Sequence, residues 1–148
     1  MYMQFENITE ANLEMVAASY VETFSAAPWH EPWTMEVAKA RLCDMLSGNG
    51  ALGISILDEK KKVLGAAVGE IEVHHTGRQF YLRECFIVPQ KQRAGLGKEL
   101  VGTLENILQD LGVCKIYLLT ARESAAQFFY EKNGYSSVVQ IGMMQKAL

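Results

Sequence analysis

At 148 residues the chain has the length of one ordinary domain, residues 1–148, long enough to bury a core and too short for two. With 49% apolar and 21% charged residues it has the balance of a globular protein, which excludes disordered and fibrous classes. A formal charge of −3 gives no attraction for nucleic acid or an anionic membrane surface, and no run of about 18 apolar residues is present to span a bilayer. MYMQFENITE lacks the basic start and apolar stretch of a secretory leader, so a cytoplasmic location is expected.

Residues 3–8 alternate weakly and suggest a first strand, after which Thr9 can cap a helix carrying Leu13, Val16, Ala17, Tyr20 and Phe24 on one stripe. Two prolines in SAAPWHEPW interrupt that pattern. Thr34 then opens a second helix with Val37, Leu42 and Leu46 among its apolar positions. Residues 51–57 and 63–73 read as strands joined by a polar turn, and residues 80–88 as a central strand stopped by Pro89. Residues 95–111 are helical, with Leu96, Leu100, Leu104, Ile107, Leu108 and Leu111 at a 3.6-residue period. Residues 114–120 read as a buried strand, Ser124 through Gln127 as a capping box before a short helix, and residues 135–145 as a final strand. Cys43, Cys85 and Cys114 are odd in number and set among apolar residues, which predicts reduced core thiols without a disulfide or metal. His74 and His75 adjoin a turn with no third ligand nearby, so no metal site is expected.

The segment VPQKQRAGLGKEL runs from a strand end through a glycine-containing loop straight into a long helix. Unpaired N–H groups in a first helical turn and the helix dipole together favour an anion there. Gly95 and Gly97 remove side chains that would block a diphosphate, Arg93 and Lys98 can add charge, and Gln92 can brace the loop. The same glycines could simply close a tight turn. GxGxxG and the Walker pattern are both absent, which removes dinucleotide and P-loop readings.

The segment resembles the Gln/Arg-x-x-Gly-x-Gly/Ala signature of the GNAT superfamily of N-acetyltransferases, with Gln92, Gly95 and Gly97 in the signature positions. The element order, the strand end at Phe86-Ile87-Val88-Pro89 and the later FFYEKNGY extend the likeness over nearly the whole chain. The resemblance implies a mixed, mostly antiparallel α/β sheet flanked by about four helices, whose splayed central strands form a V-shaped cleft for acetyl-coenzyme A. It implies pyrophosphate binding by Gln92, Arg93, Ala94, Gly95, Leu96, Gly97 and Lys98, and pantetheine pairing with the backbone of Phe86 and Val88. An N–H near Phe86 would stabilise the tetrahedral oxyanion.

Tyr130 matches the tyrosine that protonates the departing thiolate in many relatives, though it could equally belong to an aromatic stripe with Phe128 and Phe129. The asparagine that often precedes it by seven residues is replaced by Glu123. Glu84 shares a strand face with Phe86 and Val88 and is the candidate base for the acceptor amine, unless it serves only as an ion-pair partner. Glu70 and Glu72 alternate along the preceding strand, where they could attract a cationic substrate or form a solvated face. Trp29 and Trp33 lie in a loop similar to one in relatives of the aminoglycoside 6'-N-acetyltransferases, where it walls the acceptor site; covering the core is the alternative. The expected activity is direct acetyl transfer to a small cationic amine such as an aminoglycoside or polyamine, with a homodimer as the expected assembly. A non-catalytic acyl-CoA sensor and a peptide N-acetyltransferase are the competing readings.

Overall fold

The computed structural model describes residues 2–148. It divides into two compact units, one running to Leu118 and the other comprising Leu119–Leu148.

The first unit is built on a five-stranded sheet, with β1 (Gln4–Asn7), β2 (Ala51–Leu57), β3 (Val63–His74), β4 (Gly77–Ile87) and β5 (Val113–Leu118) in sequential order across it. All neighbours are antiparallel except the last pair, β4 with β5. The helices α1 (Leu13–Ser25) and α2 (Met35–Leu46) precede β2, and α3 (Leu96–Asp110) is the crossover that a parallel β4–β5 pair requires. Val16, Ala17 and Tyr20 from α1 and Ala38 and Leu42 from α2 pack with Ala66, Val68 and Phe86 of the sheet. Helix α3 buries Leu96, Leu100, Val101, Leu104 and Leu108 along one stripe. Each such aliphatic side chain taken out of water stabilises the fold by about 1.5–3 kcal/mol.

Thr34 caps α2, accepting from the Val37 N–H at 3.2 Å, as its sequence position predicts. At α1 the cap moves to Asn12, whose side-chain oxygen accepts from the Thr9 N–H at 2.8 Å; the extra turn delays the helix to Leu13. The cysteine expectation is corrected in part. Cys43 and Cys114 are exposed and Cys85 is partly so, because alternation along β5 and the periodicity of α2 turn the first two outward, and no disulfide forms among the described residues.

The second unit holds α4 (Ala125–Lys132), capped by Ser124, which accepts from the Gln127 N–H at 3.1 Å. Gln127 reciprocates by accepting from the N–H of Glu123, one residue earlier than a capping box places it. The strand expected over residues 135–145 does not form. Its alternation is genuine, but a strand needs a neighbour to satisfy its backbone, and none lies along it.

Candidate functional site

Two features of β4 create the site. The ladder with β5 ends at Leu82–Leu118, yet β4 continues to Ile87, so its last five residues have an edge that β5 does not cover. A register shift opposite Val68 and Gly69 leaves Arg83 as the extra residue of a bulge and turns Glu84 onto the face covered by α1 and α2.

Backbone alternation then decides which groups face the uncovered edge. The Val88 N–H donates to Leu64 O at 2.8 Å, so Val88, and by two-residue alternation Phe86, direct their hydrogen bonds toward β3. Cys85 and Ile87 point theirs the other way. The backbones of Phe86 and Val88, where the resemblance implies pantetheine pairing, are directed into the ladder with β3, and their side chains are buried.

Beyond Ile87 a 3-10 turn (Pro89–Lys91) leads to residues 92–95. Gln92 Nε2 donates to Ile87 O at 2.9 Å and ties the loop to the strand end. Arg93 and Gly95 take positive φ values of 61° and 83°, and Gly95 starts α3 with no side-chain cap. The N–H groups of Leu96, Gly97 and Lys98 thus have neither an intrahelical acceptor nor a capping side chain. A Cβ placed on Gly95 would meet nothing within 4 Å. Arg93, Ala94 and Lys98 are exposed around this opening. An uncapped helix start with room before it suits a diphosphate.

On the opposite side, Glu84 Oε1 accepts from Arg41 Nε at 2.9 Å, Arg41 Nη2 at 2.7 Å and the Tyr20 hydroxyl at 3.2 Å. Burial first, and the Glu84 carboxylate second, push the Tyr20 phenol well above its ordinary range. Trp33 packs edge-on to Tyr20 with centroids 5.0 Å apart, and the Arg41 guanidinium lies 5.8 Å from its ring. An open groove of about 410 Å³ is lined here by Trp33, Val37, Ala40, Arg41, Met45 and Arg83, among others. Trp29 stands apart from this group, edge-on to Phe24 at 5.0 Å, where it covers the core.

Farther along the same face, Glu70 lies opposite Tyr81, and Tyr81 opposite Tyr117. The two tyrosine rings stack 4.7 Å apart. Glu72 accepts from the Tyr117 hydroxyl at 2.8 and 3.0 Å and from Gln79 Nε2 at 3.0 Å. Partial burial, then Glu72, lift the Tyr117 phenol to about 12. The structure therefore gathers Glu70, Glu72, Glu84 and Trp33 on one face. Tyr130 lies on α4 in the second unit, its ring edge-on to Phe129 and Tyr135. His74 pairs with Thr76, and no metal-holding group of His, Cys, Asp or Glu occurs among the described residues.

As site residues Arg41, Tyr81 and Tyr117 escaped the sequence reading, and Tyr20 entered it only as part of the apolar stripe of α1. Arg41 had a signal: it lies three residues after Ala38 and four before Met45, both buried, and a cation on an apolar stripe implies a carboxylate opposite.

A family model described as the acetyltransferase (GNAT) family matches residues 13–135. No functionally curated protein matches the sequence. Among solved structures, the chain is similar to an acetyltransferase from Trypanosoma brucei, at 22% identity and TM-score 0.71, covering 99% of this chain and 100% of that one. An aminoglycoside acetyltransferase from an uncultured soil metagenomic sample, solved with sisomicin, matches at 15% identity and TM-score 0.77 over 99% and 97% of the two chains. AAC(6')-Iy, solved with the bisubstrate analogue CoA-S-monomethyl-acetylneamine, matches at 14% and TM-score 0.78 over 100% of both. At these identities the likeness establishes a shared fold. No helix among the described residues is long and apolar enough to cross a membrane.

Proposed function

Because the chain belongs to the acetyltransferase (GNAT) family, we propose that it transfers acetyl from acetyl-coenzyme A directly to the amine of a small cationic acceptor. The observation that carries this reading is the uncovered edge of β4. One end of it meets the uncapped start of α3, and a face carrying Glu70, Glu72 and Glu84 lies beside it.

Acetyl-coenzyme A would supply an activated thioester and a diphosphate. The N–H groups of Leu96, Gly97 and Lys98 would hold the diphosphate, with Arg93 and Lys98 adding charge and Ala94 and Gly95 leaving room. Gln92 would keep the loop in register with the strand, and the Ile87 N–H, aimed away from β3, would pair with the extended pantetheine. The backbone beside Phe86 is then where donors meet the developing oxyanion.

The acceptor arrives as an ammonium, which has no lone pair and must lose a proton. Glu84 would accept it at Oε2 or through a water, its other oxygen being fixed by Arg41 and Tyr20. Glu70 and Glu72 would attract the remaining positive charge, and Trp33 would wall the groove; Trp29 supports that wall through Phe24. Tyr130 would protonate the departing thiolate, a role resting on its position in the FFYEKNGY motif.

Thiol release over a panel of aminoglycosides, polyamines and peptide N-termini tests the reading, with acceleration expected from the first two. If coenzyme A binds and no amine accelerates release, a sensor is the better description; if only peptides do, the acceptor class is wrong.

A further inference from the structure

We infer that the acceptor is a diamino acid, a small molecule with two amines and one carboxylate, and that Arg83 selects it by binding the carboxylate. The inference rests on the acetyltransferase reading and narrows its acceptor. Its starting point is the charge left over in the groove beside Trp33. Arg41 and Glu84 answer one another there, with an N–O distance of 2.7 Å. Arg83 and Asp44 line the same groove, yet among the described residues neither side chain makes a hydrogen bond or an ion pair.

The Arg83 guanidinium is nonetheless held in place. As the extra residue of the bulge it leaves the alternation of β4, and it lies 5.7 Å from the centre of the Tyr81 ring, within reach of a cation–π attraction. Glu70 stands directly across the ladder from Tyr81. Its carboxylate also makes no hydrogen bond or ion pair, so it does not reach Arg83 although both neighbour the same tyrosine. Glu72, by contrast, already accepts from Tyr117 and Gln79.

One guanidinium and two carboxylates therefore remain unanswered around this groove. Their complement is a molecule with one carboxylate, two ammonium groups and a single net positive charge. A polyamine would bring only positive charge to the guanidinium, and a simple anion would be repelled by Asp44. Arginine suits a carboxylate because its planar fork can donate two parallel N–H bonds. Arg41 spends Nε and Nη2 on Glu84, which leaves Nη1 as a further donor. At about 410 Å³ the groove has the size of a small-ligand site. Arg83 directly precedes Glu84, with Cα atoms about 3.8 Å apart, so one small molecule can meet both. In the transfer the amine nitrogen forms the new C–N bond and the thioester C–S bond breaks. Of the two protons the ammonium loses, one passes to Glu84 and the other ends on the departing sulfur.

Lysine, lysinamide and cadaverine test this, because all three carry two amines and only lysine keeps the carboxylate. Attraction to an acidic face alone would favour the two dications. The inference predicts the reverse, with kcat/KM for lysine at least tenfold above that of either. In Arg83→Gln, altered at an exposed side chain, the preference should fall below twofold; Lys60→Gln, the same charge change on the turn between β2 and β3, should keep it. Calorimetry with coenzyme A present should show lysine binding Arg83→Gln at least tenfold more weakly than the wild type. A wild type that prefers either dication or ranks all three alike, a preference that survives Arg83→Gln, or lysine binding indifferent to that change would each overturn the inference. Should no amine release thiol, the acetyltransferase reading fails by itself, and the calorimetric comparison still decides whether Arg83 holds the carboxylate.

Discussion

Three hydrogen bonds converge on one oxygen of Glu84, and that asymmetry decides what its replacement should do. Glu84→Gln keeps the shape but removes the charge, leaving Arg41, whose side chain is 38% exposed, to water; the stability cost should be at most about 1 kcal/mol. If Glu84 takes the acceptor proton, kcat/KM should fall by about 10²–10³ near neutral pH. The deficit should shrink as pH approaches the pKa of the acceptor, about 10 for a lysine-like amine, because the amine then arrives neutral. A deficit constant with pH would leave Glu84 as an anchor for Arg41 alone. Tyr117 makes a second prediction. Its folded pKa of about 12 lies above the ordinary 10.0, so the neutral phenol is favoured in the folded state. Stability from this group is complete below about pH 10 and is lost as pH rises toward 12. Urea midpoints should therefore fall more gently above pH 10 in Tyr117→Phe than in the wild type; an unchanged slope would show that the Glu72 contact does not set this titration. Glu84 was readable in the sequence because strand alternation is local. Its meeting with Arg41 and Tyr20 was not, because those partners lie 43 and 64 residues away.

At the scale of elements, the start of α3 combines two roles that a matched pair of glycines separates. Gly95 and Gly112 have φ values of 83° and 78°, and a Cβ added to either would meet no atom within 4 Å. Each Gly→Ala change should therefore cost about 1–2 kcal/mol of backbone strain without a clash. Only Gly95 immediately precedes the uncapped N–H groups of Leu96, Gly97 and Lys98. Gly95→Ala should raise KM for acetyl-CoA at least tenfold while Gly112→Ala leaves it unchanged. Equal KM values in the two variants would remove the diphosphate from this helix start. Elements specified by near neighbours were legible: Thr34 and Ser124 are caps, β2 has the bounds its apolar run gives, and α3 follows its leucine period. Residues 135–145 were misjudged for the opposite reason. A period of two states which face could be buried, but not whether a neighbouring strand exists to receive the backbone.

For the whole molecule, the order of elements and the mixed sheet were readable because helices and strands alternate with distinct periods, whereas the splay after Leu82 and the bulge at Arg83 arise from pairing between strands far apart in sequence. The donor site draws on both kinds of information, and its global consequence is measurable without knowing the acceptor. A ligand that binds only the folded chain stabilises it by about 2.7 kcal/mol at one hundred times its dissociation constant. For a chain of this size each kcal/mol moves Tm by about 2–4 °C, so saturating coenzyme A should raise Tm by roughly 5–11 °C. The part due to the diphosphate is electrostatic and exposed, so added salt should erode it, and Gly95→Ala should reduce the shift far more than Gly112→Ala. A Tm indifferent to saturating coenzyme A would discard the acetyl-CoA site.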